Sequence, residues 1–116
     1  MRLEIVSLLD DVRQASKLCL QFARDKTYAE YAGDVMLRSA VERQLAIVGE
    51  ALYHLRREDE AVLAALTDPH SIIALRHILV HAYAIVNNET ILDLVQQNLP
   101  VLLREVENLL TGTDQP

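Results

Sequence analysis

Residues 35–57 read VMLRSAVERQLAIVGEALYHLRR, and within them Leu37, Val41, Leu45, Val48, Leu52 and Leu55 recur at steps of four and three. At about 100° per residue these positions fall within an arc of about 80°, the mark of a helix with one buried face. The stretch predicts a long amphipathic helix from about Val35 to Arg57, with Asp34 as its N-cap. Gln44 falls inside or beside the apolar arc, and Glu50 lies well off it. They read first as a buried hydrogen-bonding side chain and a solvated carboxylate. Gly49 costs about 1 kcal/mol against Ala in a helix interior, so its presence predicts close approach by another helix.

Upstream, Ile5, Leu8, Val12, Ala15, Cys19 and Phe22 repeat the same spacing and predict a first helix from Leu3 to Ala23, ending near Arg24. Residues 25–33, with Tyr28, Tyr31 and Gly33, read as a connection with room for a turn of helix. Downstream, Arg56 to Glu60 form a charged helix end, and Glu60 to Leu66 a short helical piece. Thr67-Asp68-Pro69-His70 is a turn. A third helix is expected from about Ser71 to Val86, closed by Asn87-Asn88. The fourth, Glu89 to Leu110, carries Ile91, Val95, Leu99, Leu102, Val106 and Leu109. Pro100 interrupts it without breaking the phase, so one kinked helix is expected and not two. Residues 111–116 should fray. The fold class is all-α, an up-down bundle of four main helices plus a short helix, with residues 1–116 forming one domain.

Composition agrees. Apolar residues make up 51% of the 116 positions, with only 3 Gly and 3 Pro, which favours a packed helical domain over disorder. The single cysteine, Cys19, lies in the first helix's apolar stripe and reads as a small buried hydrophobe. Glu4, Asp10 and Asp11 interrupt any leader-like apolar run, and no stretch reaches the roughly 18 uncharged apolar residues that span a membrane. A cytoplasmic protein with no membrane contact is expected. The net charge of −6 excludes broad non-specific nucleic-acid binding, so any RNA chemistry must sit in a local cleft. Gly-rich phosphate loops and Cys/His metal spacings do not occur, and no cofactor or metal is expected.

The third helix concentrates the chemistry. Ala74–Ala84 reads ALRHILVHAYA, in which Arg76, His81 and Tyr83 spell R-x-x-x-x-H-x-Y. On an ideal wheel with Ile72 at zero, Leu75, Leu79, Ala82 and Val86 fall at about 280° to 340° and face the bundle. A second apolar arc, Ile73, Val80 and Ala84, falls at about 80° to 120°, where a surface helix should be polar. That arc predicts a covering partner, most simply a second copy across a two-fold axis. Arg76 and Tyr83 share one edge. His77 and His81 share another, about 140° from Arg76. Either the arginine's long reach and a local distortion bring Arg76 and His81 together, or the site is composite and pairs Arg76 of one subunit with His81 of the other. The second apolar arc favours the composite site.

Arg76 and His81 in R-x-x-x-x-H, the trailing Tyr83, the upstream Ile47-Val48-Gly49-Glu50-Ala51 and the helix order together resemble the HEPN superfamily, and within it the HepT-like toxins. The resemblance covers the chain from the first helix to Leu110. It implies a homodimeric, metal-independent RNA endonuclease, the toxin of a type VII-like toxin–antitoxin pair. The cognate antitoxin would be a minimal nucleotidyltransferase that silences the toxin by AMP transfer from ATP. Carried onto this sequence, Arg76 and His81 are the catalytic pair and Tyr83 is the AMP acceptor. The residue after the arginine is commonly Asn in the family. His77 stands there, as a substitute, an assisting group or a bystander.

The residue types suit that chemistry. Imidazole can take and return a proton near neutral pH, and guanidinium can hold the oxygens of a phosphate as negative charge builds. A phosphate on Tyr83 would compete with RNA for Arg76. Two other readings fit the same residues. One is a non-catalytic helical binding module that partners a nucleotidyltransferase and helps present its substrate. The other is a structural dimer in which the motif only packs, disfavoured because an arginine buried without a charged partner is costly.

Overall fold

The structure, a computed structural model, describes residues 1–81 and 85–112. Among the described residues the regular elements are all helical. Helix α1 spans Leu3–Ala23 and α2 is a single turn, Tyr28–Ala32. Thr27 and Glu30 close the start of α2 with a reciprocal capping box, each side chain bonded to the other's amide. The longest helix, α3, runs Val35–Glu58, and Asp34 Oδ1 accepts from the Leu37 amide at 3.0 Å. Helix α4 is Glu60–Ala64, α5 is Pro69–Leu79, α6 is Asn88–Asp93 and α7 is Leu99–Gly112.

Helix α3 is the middle of the molecule, with α1 on one side and α5 on the other, while α7 packs on α1. The first pair is antiparallel. Arg2 Nη2 donates to the Glu58 carbonyl at 2.7 Å, and at the other end Cys19 Sγ faces the Val41 carbonyl at 3.7 Å. Helices α1 and α7 are antiparallel too, with Gln96 Nε2 donating to the Lys26 carbonyl at 2.9 Å and Lys17 Nζ 3.7 Å from Glu107. All the expected α3 stripe residues except Leu37 are fully buried, and Leu37 packs at the edge. In α1 the buried face is centred one position further on. Leu9 and Ala23 are fully inside and Leu8 and Phe22 half-buried, because α1 is covered by both α3 and α7.

Pro100 distorts its helix as expected, in a specific way. Residues Leu94–Asn98 form a π turn that joins α6 to α7. The Leu99 amide reaches back five residues to the Leu94 carbonyl. Proline has no N–H for the carbonyl four residues before it, and its ring crowds that oxygen, so the turn ahead of it widens. The helix continues to Gly112, past the expected start of fraying at 111.

The third helix departs from expectation at both ends. It starts at Pro69 and not at Ser71, because Asp68 takes a left-handed conformation (φ 49°) and places the proline at the first helical turn, where its missing N–H costs nothing. It stops at Leu79 and not at Val86. The Val80 amide still bonds the Arg76 carbonyl, and the His81 amide closes an i→i−3 turn on Ile78, so Val80 and His81 lie beyond the helix. Asn87, expected to close this helix, instead caps α6 by accepting from the Thr90 amide at 3.0 Å.

The two-arc wheel therefore does not hold. Ile73 is buried within its own chain at 8% exposure. Val80 is exposed and lies beyond the helix, and His81 is not on the α5 wheel at all. Ala82, Tyr83 and Ala84 lie outside the described residues.

Candidate functional site

The site is built from the closest approach in the bundle, where α5 crosses α3 at Gly49. A Cβ at that position would overlap Arg76 Cβ and come within 3.0 Å of the Ile72 carbonyl. Only glycine lets the two helices meet this closely. The absent side chain thus sets the root of Arg76 directly against the α3 backbone.

From that root the guanidinium extends to the next residue on α3. Arg76 Nη2 lies 2.5 Å from Glu50 Oε2, and Glu50 Oε1 lies 2.8 Å from His54 Nε2 one turn on. One carboxylate thus bridges an arginine and a histidine, the kind of charge-assisted contact that is short and directional. The Tyr53 ring lies beneath, its centroid 5.4 Å from the Arg76 guanidinium carbon and equally 5.4 Å from that of Arg56. Arg76 is 26% exposed in its side chain, and its Nε is buried with no hydrogen-bond partner among the described residues. The Coulomb and ring contacts offset the desolvation of the guanidinium.

The histidines form a second cluster at the end of α5. His77 Nε2 and His81 Nε2 are 3.2 Å apart, with the rings edge to face at 4.5 Å between centroids. For that contact one ring must offer N–H and the other a bare nitrogen. Arg76 and His77 occupy the last turn of the helix, where its dipole favours positive charge.

The structure therefore brings His77 to His81 and joins Arg76 to Glu50, all at the C-terminal end of α5. Sequence reasoning missed Glu50 and His54 as site residues, treating the first as solvated. The available signal was a Glu–His pair at i,i+4 directly after a helix-interior glycine. Gln44 is half-buried on α3. Cys19 is the inert residue it was read to be: burial pushes its thiol up to about 12. Among the described residues no His, Cys, Asp and Glu side chains are grouped as a metal site requires, and no helix is long and apolar enough to cross a membrane.

Against this geometry the comparisons with known proteins are consistent. A family model described as "Ribonuclease HepT-like" matches residues 12–109. Two proteins of Methanocaldococcus jannaschii, each named "Putative RNase", are similar to the chain. One is 26% identical over 104 residues, covering 90% of this chain and 94% of the relative. The other is 29% identical over 107 residues, covering 92% and 88%. No solved structure matches the chain.

Proposed function

The chain belongs to the HepT-like ribonuclease family of the HEPN superfamily, and on that premise we propose that it is a metal-independent RNA endonuclease whose working groups are Arg76 and His81. The observation that carries the reading is the placement of a fixed guanidinium and a histidine pair at the end of one helix, on the chain's R-x-x-x-x-H motif.

In the proposed reaction the RNA 2′-oxygen loses its proton to an imidazole and attacks the adjacent phosphorus. The bond to the 5′-oxygen breaks, that oxygen is protonated, and the products end in a 2′,3′-cyclic phosphate and a 5′-hydroxyl. His81 is the proton carrier that meets the substrate, and His77, 3.2 Å away, is the second imidazole through which its proton can be passed. Arg76 holds the non-bridging oxygens as charge builds, and Glu50 holds Arg76 in place. Exposed Ile78, next to His77 in the last turn of α5, would be covered by a second subunit, which supplies the other half of a two-fold site.

In the same reading the protein is the cytoplasmic toxin of a toxin–antitoxin pair. A minimal nucleotidyltransferase silences it: the Tyr83 oxygen attacks the α-phosphorus of ATP, pyrophosphate leaves, and the attached phosphate competes with RNA for Arg76.

Purified unmodified protein is expected to cleave single-stranded RNA in EDTA. Arg76→Ala and His81→Ala should each lower the rate by about a hundred- to ten-thousandfold while the circular dichroism spectrum and oligomeric state stay unchanged. A strict metal requirement, or full activity in both variants, overturns the mechanism. The occupation of Arg76 by Glu50 favours a second reading, a non-catalytic module that docks beside a nucleotidyltransferase. That reading predicts partner binding without cleavage.

A further inference from the structure

Beside the Arg76–Glu50 pair a cleft of about 310 Å³ opens between α1, α3 and the residue before His81. Its apolar walls come from Leu8, Ala46, Ile47 and Val80. Its volume lies at the low end for small-molecule clefts, room for one nucleotide-sized group and too little for a helix of RNA.

The polar groups lining it are Asp11 from α1 and Arg43, Glu50 and His54 from α3. Glu50 and His54 are bonded to each other, and Glu50 also to Arg76. Asp11 and Arg43 make no side-chain hydrogen bond or ion pair among the described residues. The cleft therefore presents one acceptor-only carboxylate and one donor-only guanidinium with no partner among the described residues, beside its apolar walls.

We propose that this cleft takes one unstacked guanine of single-stranded RNA next to the cleaved phosphate, with Asp11 and Arg43 reading its edge. The proposal rests on the ribonuclease reading above. Single-stranded RNA is read by proteins through splayed bases held on their Watson–Crick edges and against side-chain surfaces. Guanine alone among the four bases offers two adjacent N–H donors there, on N1 and N2, which match the two oxygens of a carboxylate. Its O6 lies on the same edge and accepts from a guanidinium. Uracil would set its carbonyls against Asp11. Adenine and cytosine would satisfy only one carboxylate oxygen. The apolar walls take the ring faces, and the shared Glu50 places the base directly beside the arginine that holds phosphate.

The test has two arms. In the first, single-stranded oligonucleotides of A and U are compared with the same sequences carrying one G. Cleavage is expected to concentrate next to the G by about ten- to hundredfold, the discrimination of a good bidentate contact, and Asp11→Asn should erase that preference. In the second, binding of 3′-GMP and 3′-UMP is measured by calorimetry on wild type, Asp11→Asn and Ala46→Phe, the last filling the slot. 3′-GMP should bind at least tenfold more tightly than 3′-UMP, and both variants should lose the difference. Cleavage without base preference, equal affinity for the two nucleotides, or an unchanged preference in Asp11→Asn overturns the subsite. Absence of RNA cleavage with intact, Asp11-dependent 3′-GMP binding would overturn the ribonuclease reading and leave a guanine nucleotide site.

Discussion

The α1–α3–α7 side of the bundle and the α5 end face opposite demands. On the first side Leu9, Val12, Leu45, Leu52, Leu99 and Val106 are fully enclosed by their own chain. At the other, Ile78 is 41% exposed, Val80 54% and Ile85 95%. Burial follows the hydrophobic term wherever a neighbour exists to provide cover. The unburied isoleucines and valine mark where this chain ends its own packing and leaves surface for something else. The difference separates residues that make the fold from residues the fold presents.

Substitutions on the two sides should therefore fail differently. Leu52→Ala empties a fully enclosed site and is expected to lower the unfolding free energy by about 3 kcal/mol in urea titration, with the activity of each folded molecule preserved. Gly49→Ala acts at the junction. The new methyl meets Arg76 Cβ, an atom held by backbone, so α5 must shift. Overpacking of about 1–3 kcal/mol, less the gain of about 1 kcal/mol from replacing a helical glycine, leaves a loss of up to about 2 kcal/mol. RNA cleavage should fall more than stability does, because Arg76 moves with the helix. If Gly49→Ala were as active as wild type, the junction would not couple fold to site.

Tyr31 tests the enclosed side by pH. Its ring is fully buried and its hydroxyl lacks a hydrogen-bond partner among the described residues, and burial, with the nearby Glu42 carboxylate, raises its pKa above the ordinary tyrosine value. The unfolded chain then releases this proton before the folded one does. Stability from the group is complete below the ordinary value of about 10 and is lost as pH rises above it. Tyr31→Phe should flatten that alkaline loss and raise stability near neutrality by about 1 kcal/mol, measured by melting at pH 7 and pH 10.5. The smallest effect is expected at Ile78. Replacement by Ser should change the stability of the isolated chain by less than about 0.5 kcal/mol while weakening self-association in sedimentation. A drop of several degrees in Tm would place Ile78 with the core instead.

Helices α1 and α3 were legible to within a residue because each carries an unbroken apolar stripe, and in α3 Asp34 marks the start. The end of α5 was not. Ala74–Ala84 contains neither Gly nor Pro, so nothing in its composition stops a helix at Leu79. Asn87, eight residues on, belongs to the next helix as the cap of α6. Glu50 was illegible too. Its wheel position pointed away from the α3 stripe, and its partner lies on another helix. Pro100 announced a distortion without disclosing that it would be a π turn. Arg76, His77 and His81 were readable as residue types, and the contact between the two histidines survives although the helix they were placed on ends between them.

The glycine beneath Arg76 also bears on conformational entropy. An arginine normally surrenders up to about 2 kcal/mol of rotamer freedom when a ligand fixes it. Here the first carbon is wedged against a helix backbone, the ring of Tyr53 lies below the guanidinium and Glu50 fixes one of its nitrogens. Most of that ordering is completed when the chain folds. An anion arriving at this arginine meets a side chain already stilled, so its affinity is less diluted by the freezing of motion than it would be at a surface arginine.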